Sequence, residues 1–311
     1  MNNIFVYRNN TDGNVGIGKL PNYFTEFLNN IENEYIFHIP DKTKITYHTY
    51  YTDLIGDLKL NFDKIQYDTF WNNICYNIQN CIIQNVFEMN EIYYSNPKPN
   101  FENTNLYGAA ANLIPHRDCI LYNFNGITFY RVILGITGNN NDTITEFINY
   151  NLETKINKGD FMIFDFDKTL HRVKKIGKTE VPRILMKLHF IVCENCKYDI
   201  NYVKNIEYFY KYYYYIARYT EQIGTDPKTF LGFFFGLLWE YPFYYPFKYI
   251  VFLLFISNII ILHKIYKIKL TNYIKLSFYS FIILIYTYCN IVFFYYLHFI
   301  LSDNRYFVKI K

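Results

Sequence analysis

The sequence predicts a mainly β domain, an antiparallel sandwich or barrel with flanking helices, followed by C-terminal transmembrane helices. Three observations predict it. Residues 106–195 break into short apolar or alternating segments divided by turn residues. Residues 200–240 return to helical spacing and are rich in Tyr and Phe. Two long, mostly apolar runs follow, and 311 residues leave room for one ordinary domain plus such an appendage.

Composition narrows the function classes. Hydrophobic residues make up 51% of the chain, so filling a core is not the difficulty. The 35 Tyr and 30 Phe stand beside many Asn, Ile and Lys, all residues with AT-rich codons, and this reads as genome bias without functional content. A net charge of +4 with no dense basic block gives no case for nucleic acid as a partner. The opening MNNIFVYRNNTDG lacks a basic stretch followed by an apolar run, so no secretory signal is expected. The six cysteines, at 75, 81, 119, 193, 196 and 289, are then read as reduced thiols. Asn9 and Asn141 match the glycosylation sequon as often as chance allows in so Asn-rich a chain.

The elements follow in order. Residues 1–104 form a mixed α/β part. Gly13, Gly16 and Gly18 resemble a phosphate loop, but Leu20 replaces the hydroxyl that would hold Mg²⁺, so they are read as a turn. Over 67–89, Phe70, Ile74, Ile78, Ile82 and Val86 recur at near-helical spacing and predict an amphipathic helix. Residues 96–100, with two prolines, break the pattern. Segments 109–118, 127–137, 146–150, 161–166 and 183–192 are strand candidates within a core domain over 105–197. A helical, partly interfacial region covers 198–242; its apolar stretch 229–239 is too short to span a bilayer. The membrane anchor, 243–311, holds two spans, 243–262 and 276–301. Lys264, Lys267, Lys269 and Lys275 lie between them.

One constellation carries chemistry. His116 and Asp118 are two positions apart, so on a strand both side chains point to one face. His171 follows the apolar run 161–164, just past the expected end of a strand. Two histidines and one carboxylate are the facial ligand set of non-haem Fe(II) oxygenases, which leaves coordination positions open. Arg183 begins the run 183–192, one face of which is Ile184, Met186, Leu188, Phe190 and Val192. The other face is Arg183, Leu185, Lys187, His189 and Ile191, the pattern of a strand packed outward on helices and lining a polar cavity inward. An inward Arg suits a dicarboxylate, whose carboxylate matches the guanidinium fork. Arg131, set among apolar strand residues, is a second candidate, because a charge there needs a partner.

From about Asn105 to Val192 the chain resembles the aspartyl/asparaginyl β-hydroxylase family of Fe(II)/2-oxoglutarate oxygenases. The resemblance lies in Pro115-His116-Arg117-Asp118, in 130–136 (YRVILGI), in 158–165 (KGDFMIFD), in Leu170-His171-Arg172-Val173 and in Pro182-Arg183-Ile184-Leu185. Within the family it is most similar to the bacterial lipid A hydroxylases, which carry the same His-Arg-Asp triplet and a C-terminal apolar anchor. The resemblance implies a double-stranded β-helix, the jelly-roll barrel. It implies His116, Asp118 and His171 as iron ligands, Arg183 on the distal carboxylate of 2-oxoglutarate, and Arg131 in co-substrate binding. The family often has His two residues after that Arg, where this chain has Ile133. The expected activity is a dioxygenase hydroxylating an unactivated C–H with O₂ and 2-oxoglutarate, on a membrane lipid acyl chain. The alternatives are a protein Asp or Asn side chain, and a non-enzymatic membrane protein with a vestigial barrel. The expected location is a membrane, multi-pass, with the catalytic domain facing the cytosol.

Other patterns are set aside. His116-Arg117-Asp118 with Asn123 fits a kinase catalytic loop, but neither Asp-Phe-Gly nor the strand lysine accompanies it. Cys193 and Cys196 have no second pair to complete a zinc site and are read as ordinary thiols at a strand end. His189 is read as a barrel histidine, and His38, His48, His263 and His298 as lacking partners.

Overall fold

The computed structural model describes residues 4–38, 46–95, 115–118, 124–138, 140–176 and 182–224, with Lys275, Tyr279 and Ser280. The expected spans, apart from Tyr279 and Ser280, lie outside the described residues, as do segment 229–239 and the loop 96–100. Among the described residues no helix is long and apolar enough to cross a membrane. The chain divides into two compact units, Met1–Thr104 with Gly108–Tyr215, and Asn105–Tyr107 with Ile216–Lys311. The first carries both sheets and the candidate site.

The strands are β1 (Val15–Lys19), β2 (Thr46–Tyr50), β3 (Ile82–Asn85), β4 (Glu91–Ser95), β5 (Ile127–Gly135), β6 (Thr143–Phe147), β7 (Leu152–Thr154), β8 (Asp160–Asp165), β9 (His171–Lys175) and β10 (Arg183–Cys193). The helices are α1 (Thr25–His38), α2 (Gly56–Gln66) and α3 (Ile200–Gly224). The larger sheet has the order β1-β8-β5-β10-β4-β2, with β3 also on β10; the smaller has β7-β6-β9. Residues 115–118 extend the smaller sheet through an antiparallel bridge from His116 to His171. From β4 onward the chain passes back and forth between the sheets, with only β6 and β7 consecutive in one of them, giving β4-β10-β5-β8 in one and 115–118-β9-β6-β7 in the other. That pairing, two interlocked Greek keys, is the jelly roll.

Side-chain alternation sorts the core. Ile184, Met186, Leu188, Phe190 and Val192 of β10 pack outward with Leu28 and Ile31 of α1 and Phe62 and Ile65 of α2. Inward, Leu185 joins Val15, Tyr93, Met162 and Phe164, with Phe147 from the smaller sheet. At one end of the barrel, Phe129 and Ile191 meet Val203, Ile206 and Tyr210 of α3. Each such fully buried side chain contributes roughly 1.5–3 kcal/mol, so the β10 stripe alone clamps the helices to the sheet.

Several expectations need correction. No helix covers 67–89. A 3-10 helix, Thr69–Cys75, leads to a turn, then β3, then a second 3-10 helix, Phe87–Met89. Asn77 and Asn80 adopt φ of 60° and 47°, in the left-handed region that ends a right-handed helix. Ile74 and Val86 are buried as their spacing implied, but in separate elements facing different clusters. Gly16 and Gly18 lie inside β1, which pairs with β8; Gly13 alone, at φ 84°, makes the turn. His171 lies past the end of β8, as expected, and in addition opens β9. Four cysteines are not reduced thiols: Cys75–Cys81 and Cys193–Cys196 are disulfides, with Cα separations of 5.7 and 5.0 Å. Turns bring each pair within bonding range, which spacing alone does not reveal.

Candidate metal centre

Two backbone hydrogen bonds assemble the centre. His116 N–H donates to His171 O at 2.9 Å, and His171 N–H returns to His116 O at 3.0 Å. Directly opposed residues of an antiparallel pair share a face, so the imidazoles stand together with ring centroids 4.5 Å apart. Asp118, two positions on, falls on the same face. Arg117 between them turns away and donates from Nε to Lys168 O at 2.8 Å. Asp118 Oδ1 lies 3.8 Å from His116 Nε2, and Oδ2 lies 3.6 Å from His171 Nε2. One ligand atom from each residue falls within 4.8 Å of the others, a set able to converge on one cation.

The surroundings prepare these donors. His171 Nδ1 is 3.1 Å from Thr169 O, so Nδ1 carries the proton and Nε2 presents its lone pair. Burial lowers the His171 pKa, with Asp118 opposing, and the ring stays neutral. Burial alone would raise Asp118, but Arg131, His171 and His116 outweigh it and hold the carboxyl below its usual value. Phe164 and Phe147 stand 4.6 and 6.3 Å from the His171 ring and close that side to water. His116 is the more exposed ligand, which places the opening beside it.

Among the described residues, Arg131, Lys187 and Arg183 lie on the inner face of the larger sheet. Arg131 donates from Nη1 to Asp118 Oδ2 at 2.7 Å and from Nε to His189 Nε2 at 3.0 Å. Lys187 pairs with Glu91 at 2.6 Å. Glu91 also takes His48 Nδ1 at 2.9 Å, so His48 has the partner that the sequence did not suggest. Arg183 differs. It is 9% exposed, its Nε is buried without a hydrogen-bond partner, and it forms no ion pair among the described residues. Burial pushes its guanidinium down to about 10, Tyr93 opposing, so it is still a cation at neutral pH. Ile133, between Lys187 and Met162 in register, adds only apolar surface.

All three predicted ligands therefore meet, and both predicted arginines face the same interior. The sequence missed Glu91, Asn90 and the connecting role of His189. The alternation of Glu91 and Tyr93 against Ile92 and Tyr94 was the one local signal available.

No family model and no curated protein matches the chain. Several solved structures do. The viral collagen prolyl hydroxylase of Paramecium bursaria Chlorella virus-1, in its 2OG complex, is 14% identical over 56% of this chain and 94% of its own, with a TM-score of 0.37. HygX from Streptomyces hygroscopicus, with nickel and 2-oxoglutarate bound, is 10% identical over 58% and 82%, with a TM-score of 0.37. A prolyl hydroxylase from Trichoplax adhaerens, in complex with a hypoxia inducible factor peptide fragment, is 13% identical over 60% and 86%, with a TM-score of 0.36.

Proposed function

We propose that this chain is an Fe(II)- and 2-oxoglutarate-dependent dioxygenase that hydroxylates an unactivated C–H. One observation carries the reading: a two-histidine, one-carboxylate cluster shares its interior with a buried guanidinium that has no counter-charge among the described residues. An unpaired buried charge costs several kcal/mol, so Arg183 calls for an anion, and a dicarboxylate co-substrate brings one.

Each residue then has a task. His116, His171 and Asp118 would together hold Fe(II), a ligand set that leaves coordination positions free. A metal held by these residues would supply oxygen activation, coupled to decarboxylation of 2-oxoglutarate to succinate and CO₂. Arg183 would take the distal carboxylate and fix the co-substrate's direction. Arg131, paired with Asp118, would border the metal end of a bound co-substrate. Phe147, Phe164 and Phe166 keep water from the far wall.

The substrate we favour is a membrane lipid acyl chain. The apolar runs at 243–262 and 276–301 would keep the domain at a bilayer as a multi-pass protein, and the resemblance to lipid A hydroxylases supports this choice. Hydroxylation of Asp or Asn in protein is the alternative.

The test uses the full chain in detergent, without oxygen. Fe(II) and 2-oxoglutarate should give the weak visible charge-transfer band of a co-substrate chelated to iron. Asp118→Ala should lose iron and band together. Arg183→Ala should keep iron and need about 30-fold more 2-oxoglutarate, or more, as expected for one partner of a buried charge pair. A folded, iron-loaded wild type without the band would reject the assignment.

A further inference from the structure

Behind the metal cluster, buried polar groups form one continuous hydrogen-bonded line. It starts on α2, where Gln66 Nε2 donates to Asp63 Oδ1 at 2.7 Å. Asn90 Nδ2 donates to Gln66 Oε1 at 2.7 Å. Asn90 Oδ1 receives the His189 backbone N–H at 2.8 Å and lies 3.3 Å from His189 Nδ1. His189 Nε2 accepts from Arg131 Nε at 3.0 Å, and Arg131 Nη1 reaches Asp118 Oδ2 at 2.7 Å.

The direction of each link is determined. Asn90 directs Nδ2 to two acceptors, Gln66 Oε1 and, at 2.9 Å, Asn85 Oδ1, so Oδ1 is what faces His189. The His189 proton therefore sits on Nδ1, and Nε2 is bare, as Arg131 requires. A doubly protonated or turned ring would set an N–H against the guanidinium. Gln66, Asn90 and His189 are at most 1% exposed, so no solvent replaces a missing link. Burial, with Arg131 adding to it, also holds His189 well below the usual imidazole range, so the ring stays an acceptor.

We infer that Asn90 and His189 are positioning residues for the metal ligand Asp118, acting through Arg131. They hold the guanidinium where it takes Oδ2, leaving Oδ1 turned toward His116. The ligand's geometry is thereby tied to the middle of β10 and to α2, on the opposite face of the larger sheet. This gives Arg131 a task at the metal ligand in addition to any at the co-substrate. It rests on the metal reading above. An outer partner bonded directly to a ligand, as Arg131 is to Asp118, typically carries 10–100-fold in metal affinity, and His189 acts by holding that partner.

The experiment titrates Co(II) into the metal-free full chain in detergent, without co-substrate, and follows the visible cobalt bands. His189→Leu removes the acceptor at similar size; His189→Gln places Oε1 where it can still accept from Arg131. The Leu variant should bind Co(II) 10–100-fold more weakly and shift the bands. The Gln variant should stay within about threefold of wild type, with wild-type bands. Melting curves of the metal-free proteins establish folding; if the Leu variant does not fold, Asn90→Ala is measured, with a loss in the same direction. Wild-type affinity in the folded Leu variant, or in Asn90→Ala, overturns the positioning role. Equal losses in Leu and Gln overturn it too, since packing alone would explain them. Wild-type binding that is absent, or indifferent to His171→Ala, overturns the metal site and the positioning role together.

Discussion

Glu91 is almost wholly buried, and its charge depends on two neighbours. Burial works against ionisation, but Lys187 and His48 outweigh it and hold the carboxyl well below its usual value. A depressed folded pKa contributes stability that is present above the unfolded value of about 4.3 and lost as pH falls through the folded one. Glu91→Gln keeps the shape and removes the charge. At pH 7 it should cost about 3–5 kcal/mol, because Lys187 is left buried beside a neutral amide. Thermal melts between pH 7 and pH 3 should then show the gap to wild type closing in acid. A gap of constant size would assign the loss to packing. The same residue shows what could be read in advance. His116 and Asp118 were legible because two-residue spacing puts them on one face. Arg183 was legible because alternation along β10 puts it opposite the apolar stripe. Glu91 was not, since its pairing with Lys187 arises from the β4–β10 register, and no local pattern encodes that.

Among the elements, β10 was read almost to its ends, because an eleven-residue run buried on both faces leaves little ambiguity. Segment 67–89 failed for the complementary reason: short elements each bury one or two apolar residues, and their sum imitates a helical period. The sheet order was beyond local reading, although a barrel was expected, because β5, β4 and β3 must find β10 across long separations. The end of β5 shows how tightly that order is held. Gly135 lies opposite Leu185 and bridges to Lys158. A Cβ there would sit 2.1 Å from Asn157 O and 2.7 Å from Asn157 C. Both atoms are backbone, so the chain leading into β8 must shift to admit it. Gly135→Ala should destabilise by about 1–3 kcal/mol, seen as a lower urea midpoint with an unchanged slope. Gly138→Ala, where nothing lies within 4 Å, is the control and should leave the midpoint in place. Equal midpoints for the two variants would mean that the approach of Asn157 is not part of the fold's constraint.

At the scale of the whole molecule, the cysteines bear on which side of a membrane the folded domain lies. The sequence-based expectation placed the catalytic domain in the cytosol with its thiols reduced. The folded domain instead closes Cys75 on Cys81 and Cys193 on Cys196, and disulfides persist in oxidising compartments. The lysines between the two apolar runs agree with the disulfides. A loop carrying Lys264, Lys267, Lys269 and Lys275 tends to stay cytoplasmic, and a domain preceding the first of two spans would then lie on the opposite side. The prediction follows the cysteines. Alkylation of intact native membranes without reductant should leave all four unlabelled, and mass spectrometry of the digest should recover both linked pairs. In the chain-entropy account, loops this short contribute about 2 kcal/mol each, so a reductant should also lower the melting temperature of the purified chain. Full labelling of the four thiols in native membranes would place the domain in a reducing compartment. The jelly roll would then have to hold Cys75 and Cys81 at the base of their turn by packing alone, and the cytosolic orientation would stand.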